Sequence, residues 1–159
     1  MLKPGDLAPE FELPDETGTP VRLSALLARG PVVVYFYPAD GTRVCTAEAC
    51  MFRDAYSELA AAGVQVVGIS PQSVESKARF KASFKADQPL PFPLLADVER
   101  DVAKKWGAVG LFGIPLLGGV RRVTYLVGKD GRVVDVVAAD LSVGKHEEFV
   151  RRAVGNRGT

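Results

Sequence analysis

The chain has 159 residues, is 47% hydrophobic and 25% charged, and carries a formal net charge of +1. That length suits one domain, spanning 1–159, with a real hydrophobic core. The near-neutral charge excludes an electrostatic case for binding nucleic acid or an anionic membrane. The opening "MLKPGDLAPEFEL" lacks the apolar core of a signal peptide, and no apolar run reaches membrane-spanning length. These features point to the cytoplasm, where structural disulfides are unusual. Paired cysteines there lean toward redox chemistry or metal binding.

In chain order, "EFEL" and "VRLS" alternate around the turn-rich "PDETGTP" and predict a small N-terminal β-hairpin. Ser24 can cap a short helix ending at Leu27. "PVVVYFY", residues 31–37, is apolar on both side-chain faces and predicts a central strand covered on both sides. "PADGT" breaks it. A helix is expected from Thr46 to about Ala62, because Phe52, Tyr56, Leu59 and Ala60 form one stripe. "VQVVGIS" is the next strand. Ser73 to Phe84 reads as a helix with "SVES" as a capping box. "PLPFPLLAD" is extended, and Asp97 can cap a helix through Trp106. "VTYLV" and "RVVDVVA" flank "GKDG", whose Asp-Gly favours a tight hairpin turn. Ser142 can cap a closing helix from Val143 to Val154, and the terminal "GNRGT" is expected to fray. The order predicts an α/β fold, a mixed sheet with helices on both faces.

The two cysteines of the chain, Cys45 and Cys50, sit together just past the central strand. Cys45 falls at the start of a helix, where unpaired N–H groups and the helix dipole favour negative charge and hence a thiolate. Thr42 can offer a hydroxyl to the sulfur or to its substrate, and Pro38 fixes one side of the turn. Arg43, by nearness in sequence, and Arg122, if "VTYLV" lies beside "VVVYFY", are candidate cationic partners. Five helical positions amount to about 7.5 Å of rise and about 140° of rotation. A disulfide needs Cα atoms roughly 4.4–6.8 Å apart. Cys45 and Cys50 therefore cannot bond while the helix between them is intact, and any bond between them belongs to a reaction cycle.

Other readings of these residues stand beside this one. Both cysteines also suit the role of buried small hydrophobes. Zinc is disfavoured, since His146 is the one nitrogen ligand and there is no second cysteine pair. A disulfide exchanger of the thioredoxin type would show CxxC. Arg43 reads equally as a solvated charge, and Arg122 as half of a surface salt bridge. His146, beside Glu147 and Glu148, reads as a helix-surface residue. "GLFGIPLLGG", residues 110–119, reads as a core-covering loop with the wrong spacing for a phosphate loop.

"PADGTRVC" resembles the peroxiredoxin pattern Pro-x-x-x-Thr-x-x-Cys, and "CTAEAC" resembles the Q-type, or bacterioferritin-comigratory-protein, branch. "GDLAPEFELPDETGTPVRLS", "GISPQSVESKARFKASF", "PFPLLAD" and "RRVTYLVGKDG" extend the likeness over nearly the whole chain. The resemblance implies a thioredoxin-like fold with an N-terminal extension. It implies a thiol-dependent peroxidase acting on hydrogen peroxide and organic hydroperoxides, recycled by thioredoxin or a similar dithiol. Cys45 would be the peroxidatic cysteine and Cys50 the resolving one, joined in an intramolecular disulfide during turnover. Pro38 would shield the thiolate, Thr42 would hydrogen-bond the peroxide, Arg122 would activate the thiolate, and Glu48 would orient the arginine. No metal, haem or flavin is implied, and the branch leans to monomers. The branch often has an aromatic at position 41 and proline at 43; here Gly41 and Arg43 alter the active-site turn. A redox-dependent chaperone and a protein thiol–disulfide oxidoreductase are the competing functions.

Overall fold

A computed structural model describes residues 1–110, 119–138 and 143–156. The loop reading of 110–119, apart from its two ends, the Ser142 cap and the last three residues lie outside the described residues. The elements run β1 (Glu12–Pro14), β2 (Pro20–Arg22), α1 (Leu23–Leu27), β3 (Val32–Phe36), α2 (Arg43–Ala61) and β4 (Gln65–Ser70). They continue with α3 (Val74–Ala82), β5 (Leu94–Ala96), α4 (Asp101–Lys105), β6 (Val123–Val127), β7 (Val133–Ala138) and α5 (Val143–Asn156). β1 and β2 form the expected antiparallel hairpin. The main sheet has the order β5-β4-β3-β6-β7. β3 lies at its centre, parallel to β4 and antiparallel to β6. This is a thioredoxin-like α/β fold with a mixed sheet and flanking helices.

All five residues of β3 are buried. Because successive side chains of a strand point to opposite faces, they divide between two cores. Val32, Val34 and Phe36 join Leu23 of α1, Val102 and Ala103 of α4, and Trp106. Val33, Tyr35 and Tyr37 join Cys45, Ala49, Phe52 and Leu59 of α2, Phe80 of α3 and Phe149 of α5. Gly68 of β4 pairs with Tyr35 across the sheet. A Cβ at Gly68 would stand 2.7 Å from Cζ of the Tyr35 ring, so glycine is required for that ring to lie flat on the neighbouring strand.

Several helix ends differ from their sequence reading. α1 starts at Leu23 with Arg22 before it, and Ser24 is inside it rather than capping it. Ser73 does cap α3, accepting the Ser76 N–H at 3.1 Å. Asp97 lies further ahead of α4 than an ordinary cap, yet its carboxylate still accepts the N–H groups of Val102 (3.3 Å) and Ala103 (2.9 Å). α2 begins at Arg43, three residues before the expected start. The turn residues 38–42 hid that start, and it matters because it brings Cys45 inside the first helical turn.

Candidate active site

The chain leaves β3 at Phe36 and must turn before α2. Gly41 makes that turn with φ of +77°, the left-handed region that costs an L-residue about 1–2 kcal/mol. A Cβ there would meet nothing within 4 Å, so the demand at position 41 is conformational and not a matter of space. Thr42 follows in extended geometry as the residue before the helix. Its hydroxyl donates to the Ala39 carbonyl at 3.3 Å and stays exposed, as does Pro38.

Cys45 is the third residue of α2 and 1% exposed. Its N–H belongs to the first turn, where the helix supplies no acceptor. That turn contains no Asp or Glu, so no carboxylate competes with the sulfur for the positive end of the helix dipole. The buried stripe of α2 is Cys45, Glu48, Ala49, Phe52 and Leu59, the spacing of one helical face. Cys50 falls off that stripe and is half-buried. It lines a groove of about 570 Å³ between α2 and α5, together with Met51, Asp54, Glu58, Val150 and Arg151. Both cysteines are free thiols.

Arg122 comes from a distant part of the chain. The β3–β6 register pairs Phe36 with Val123, which carries the preceding Arg122 to the end of β3 where the active-site turn begins. Its guanidinium spans two partners. Nη2 donates to Cys45 Sγ at 3.2 Å, and Nη1 donates to Glu48 Oε1 at 2.6 Å. Arg122 is 3% exposed and Glu48 is fully buried. Burial pushes the Glu48 carboxyl up to about 7, against the lowering pull of Arg122. Burial disfavours the Arg122 charge as well, but Glu48 and the Cys45 sulfur outweigh it and raise the Arg122 pKa. Arg43, the other cationic candidate, is exposed on the first turn of α2.

The sequence reading missed one feature and misplaced another. Asp40, assigned there only to a turn, is nearly buried and accepts from Tyr37 Oη at 2.6 Å, Ser76 Oγ at 2.7 Å and Ser70 Oγ at 3.2 Å. Lys77 of α3 is fully buried and ion-paired to Asp40 at 3.3 Å, and it also donates to Ser70 Oγ. Desolvation lowers the Lys77 pKa against the raising effect of Asp40. The Gln72 side chain accepts the Asp40 N–H. The network ties the middle of the active-site turn to β4 and α3. The second feature is His146, which is buried and not on the surface as its glutamate neighbours suggested. Both residues carried a spacing signal. Lys77 precedes Phe80 by three, and His146 precedes Phe149, Val150 and Ala153 by three, four and seven, so each lies on an apolar helix face.

A buried thiol at a helix start, under a guanidinium and on a thioredoxin-like sheet, defines a thiol-based redox protein. Residues 4–136 match the AhpC/TSA family. Chloroplastic peroxiredoxin Q of Sedum lineare is 46% identical over 143 residues, covering 89% of this chain and 72% of that protein. The crystal structure of peroxidoxin BcpB from Mycobacterium tuberculosis matches with a TM-score of 0.85 at 40% identity, over 98% of each chain. Bacterioferritin comigratory protein of Xanthomonas campestris matches with a TM-score of 0.80 at 28% identity, over 94% of this chain and 92% of that one. The chain belongs to the AhpC/TSA family of peroxiredoxins and is closely related to the Q-type branch. It is an enzyme, a thiol-based peroxidase. Among the described residues no helix is long and apolar enough to cross a membrane.

Proposed function

We propose that Cys45 reduces hydrogen peroxide and organic hydroperoxides, that Cys50 resolves the product, and that thioredoxin or a similar dithiol completes the cycle. The observation that carries this reading is the Arg122 guanidinium, with one nitrogen 3.2 Å from the Cys45 sulfur and the other 2.6 Å from Glu48. A cation fixed there stays beside the attacking sulfur and remains in place as negative charge develops on the leaving oxygen. The thiolate attacks the terminal peroxide oxygen, an S–O bond forms and the O–O bond breaks. The leaving oxygen takes a proton and departs as water or an alcohol. Thr42 offers its hydroxyl to the peroxide, Pro38 limits solvent at the sulfur, and Glu48 holds Arg122 in position.

The Cys45 sulfenic acid then condenses with the Cys50 thiol, forming the disulfide and releasing water. Both residues lie on α2, five positions apart, about 7.5 Å along an intact helix axis. Condensation therefore requires α2 to unwind locally. Glu48 lies between the two cysteines, so the unwinding also draws it away from Arg122. The groove beside Cys50 gives an outside dithiol an approach to that sulfur. Exchange with the dithiol restores both thiols and leaves the reductant oxidised.

The enzyme should oxidise reduced thioredoxin only when peroxide is supplied, at a rate proportional to enzyme. Steady-state peroxide consumption in a thioredoxin-coupled assay reads this directly. Peroxide loss with no thioredoxin oxidation would overturn the assigned reductant. Thioredoxin oxidation without peroxide would favour a disulfide exchanger.

Backbone amide exchange tests the unwinding. In the oxidised protein, amides of residues 43–52 should exchange far faster than in the reduced form, while β3 and β4 stay protected. Unchanged protection in α2 after full oxidation would mean that the cysteines pair elsewhere or not at all.

A further inference from the structure

His146 is the single histidine of the chain, and nothing in the peroxidase reading above uses it. It is fully buried on α5, the helix that packs along α2. Its Nδ1 lies 2.7 Å from Thr124 Oγ1 and 3.4 Å from Glu48 Oε2. Thr124, in β6, stands two residues after Arg122, which immediately precedes that strand, so both side chains emerge on the same face of the sheet. The side chains therefore form one buried line, from the Cys45 sulfur through Arg122 and Glu48 to His146 and Thr124.

We propose that His146 is a positioning residue: through its Nδ1 it holds the second oxygen of Glu48, and Glu48 in turn keeps Arg122 on the Cys45 sulfur. The inference rests on the reading of Cys45 as the attacking thiol.

Three observations support it. First, Glu48 Oε1 is engaged by Arg122, while Oε2 is buried and makes no hydrogen bond, with His146 Nδ1 3.4 Å away. A carboxylate gripped at one oxygen can still turn about its last torsion, which is a soft one. Arg122 would turn with it and leave the sulfur. A donor beside Oε2 fixes the plane. Secondly, burial favours the neutral form of Glu48, and a neutral carboxyl makes a weaker bond to a guanidinium. An N–H beside Oε2 acts in the opposite direction. Thirdly, Thr124 locks the imidazole at the same nitrogen. With Nδ1 protonated, that one N–H faces both the Thr124 oxygen and Glu48 Oε2, and ring rotation would lose both.

Two amide substitutions separate the ends of the ring. In His146→Asn the side-chain amide stands near the Nδ1 position and can still face Glu48. In His146→Gln the amide reaches toward the Nε2 position and leaves Glu48 without it. The measurement is the stopped-flow rate of reduced enzyme with hydrogen peroxide, with the melting temperature of each variant as a check on folding. His146→Gln should react at least about tenfold more slowly than the parent, and His146→Asn should stay within about threefold of it. The imidazole supplies a second readout. Its nitrogen resonances, unambiguous with one histidine, should move in Glu48→Gln and again when Cys45 is oxidised to the disulfide. Parent rates in His146→Gln would overturn the proposal. So would equal losses in both variants that track their melting temperatures, or imidazole resonances unmoved in Glu48→Gln. A parent enzyme whose Cys45 is inert to peroxide would instead overturn the peroxidase reading, and this inference with it.

Discussion

Cys45→Ser is expected to consume peroxide no faster than buffer, whereas Cys50→Ser should take up one oxygen and then stop. The difference follows from where the two sulfurs lie. Cys45 is on the buried stripe of α2, in its first turn and 3.2 Å from Arg122. A serine hydroxyl there stays protonated at neutral pH and lacks sulfur's reactivity toward an O–O bond. Cys50 is half-buried and off that stripe, and Arg122 does not bond to it. Its loss leaves the attacking site intact but removes the internal partner of the sulfenic acid. In Cys50→Ser the acid should persist, form a mixed disulfide, or advance to the sulfinic acid under excess peroxide. Intact mass after one equivalent of peroxide distinguishes these states. The parent should lose two hydrogens, and Cys50→Ser should gain one oxygen. Oxygen gained by Cys45→Ser at Cys50, with Cys50→Ser unmodified, would reverse the two roles.

Arg122→Lys should fold and yet react with peroxide at least about tenfold more slowly, a loss of about 1.4 kcal/mol of transition-state stabilisation. The substitution keeps a positive charge beside Glu48, so the buried carboxylate is not stranded. What it removes is the planar fork. Arg122 reaches Glu48 Oε1 through one nitrogen and the sulfur through the other. A lysine ammonium is a single point on a flexible stem and cannot hold both in one fixed geometry. Stopped-flow measurement on the reduced enzyme isolates this step from recycling. A parent-like rate in Arg122→Lys would mean that the charge alone suffices and the fork has no role.

The buried Asp40–Lys77 pair bears on how the site would survive the unwinding that the proposed Cys45–Cys50 disulfide requires. α2 must open at its start for Cys45 to meet Cys50, but the turn before it is anchored by Asp40 to Tyr37, Ser70, Ser76 and Lys77. Breaking such a buried pair by removing one partner typically costs about 3–5 kcal/mol. The turn can therefore remain as a fixed floor onto which α2 refolds.

Much of this was legible in the chain before any coordinate. Unbroken apolar residues marked β3 as a central strand, and alternation with turn residues marked the first hairpin. The strand end and helix start around Cys45 marked where the thiol sits, the Pro38, Thr42 and Cys45 pattern drew its meaning from the resemblance to peroxiredoxins, and helix geometry alone barred a Cys45–Cys50 bond in a folded α2. These are local properties, set by the two-residue and 3.6-residue periods of the backbone, and a linear sequence carries them. The partners of the thiol are not local. Arg122 was named as a candidate, but its nearness to Cys45 depends on the antiparallel β3–β6 register, which no neighbouring residue encodes. His146 was assigned to the surface because two glutamates adjoin it, whereas the packing of α5 on α2 turns it inward toward Glu48. Asp40 does lie in the turn, but its burial was not legible because Lys77, the charge that accounts for it, arrives from another helix. Burial of a charge is decided by what the fold brings opposite it, and only the tertiary structure supplies that.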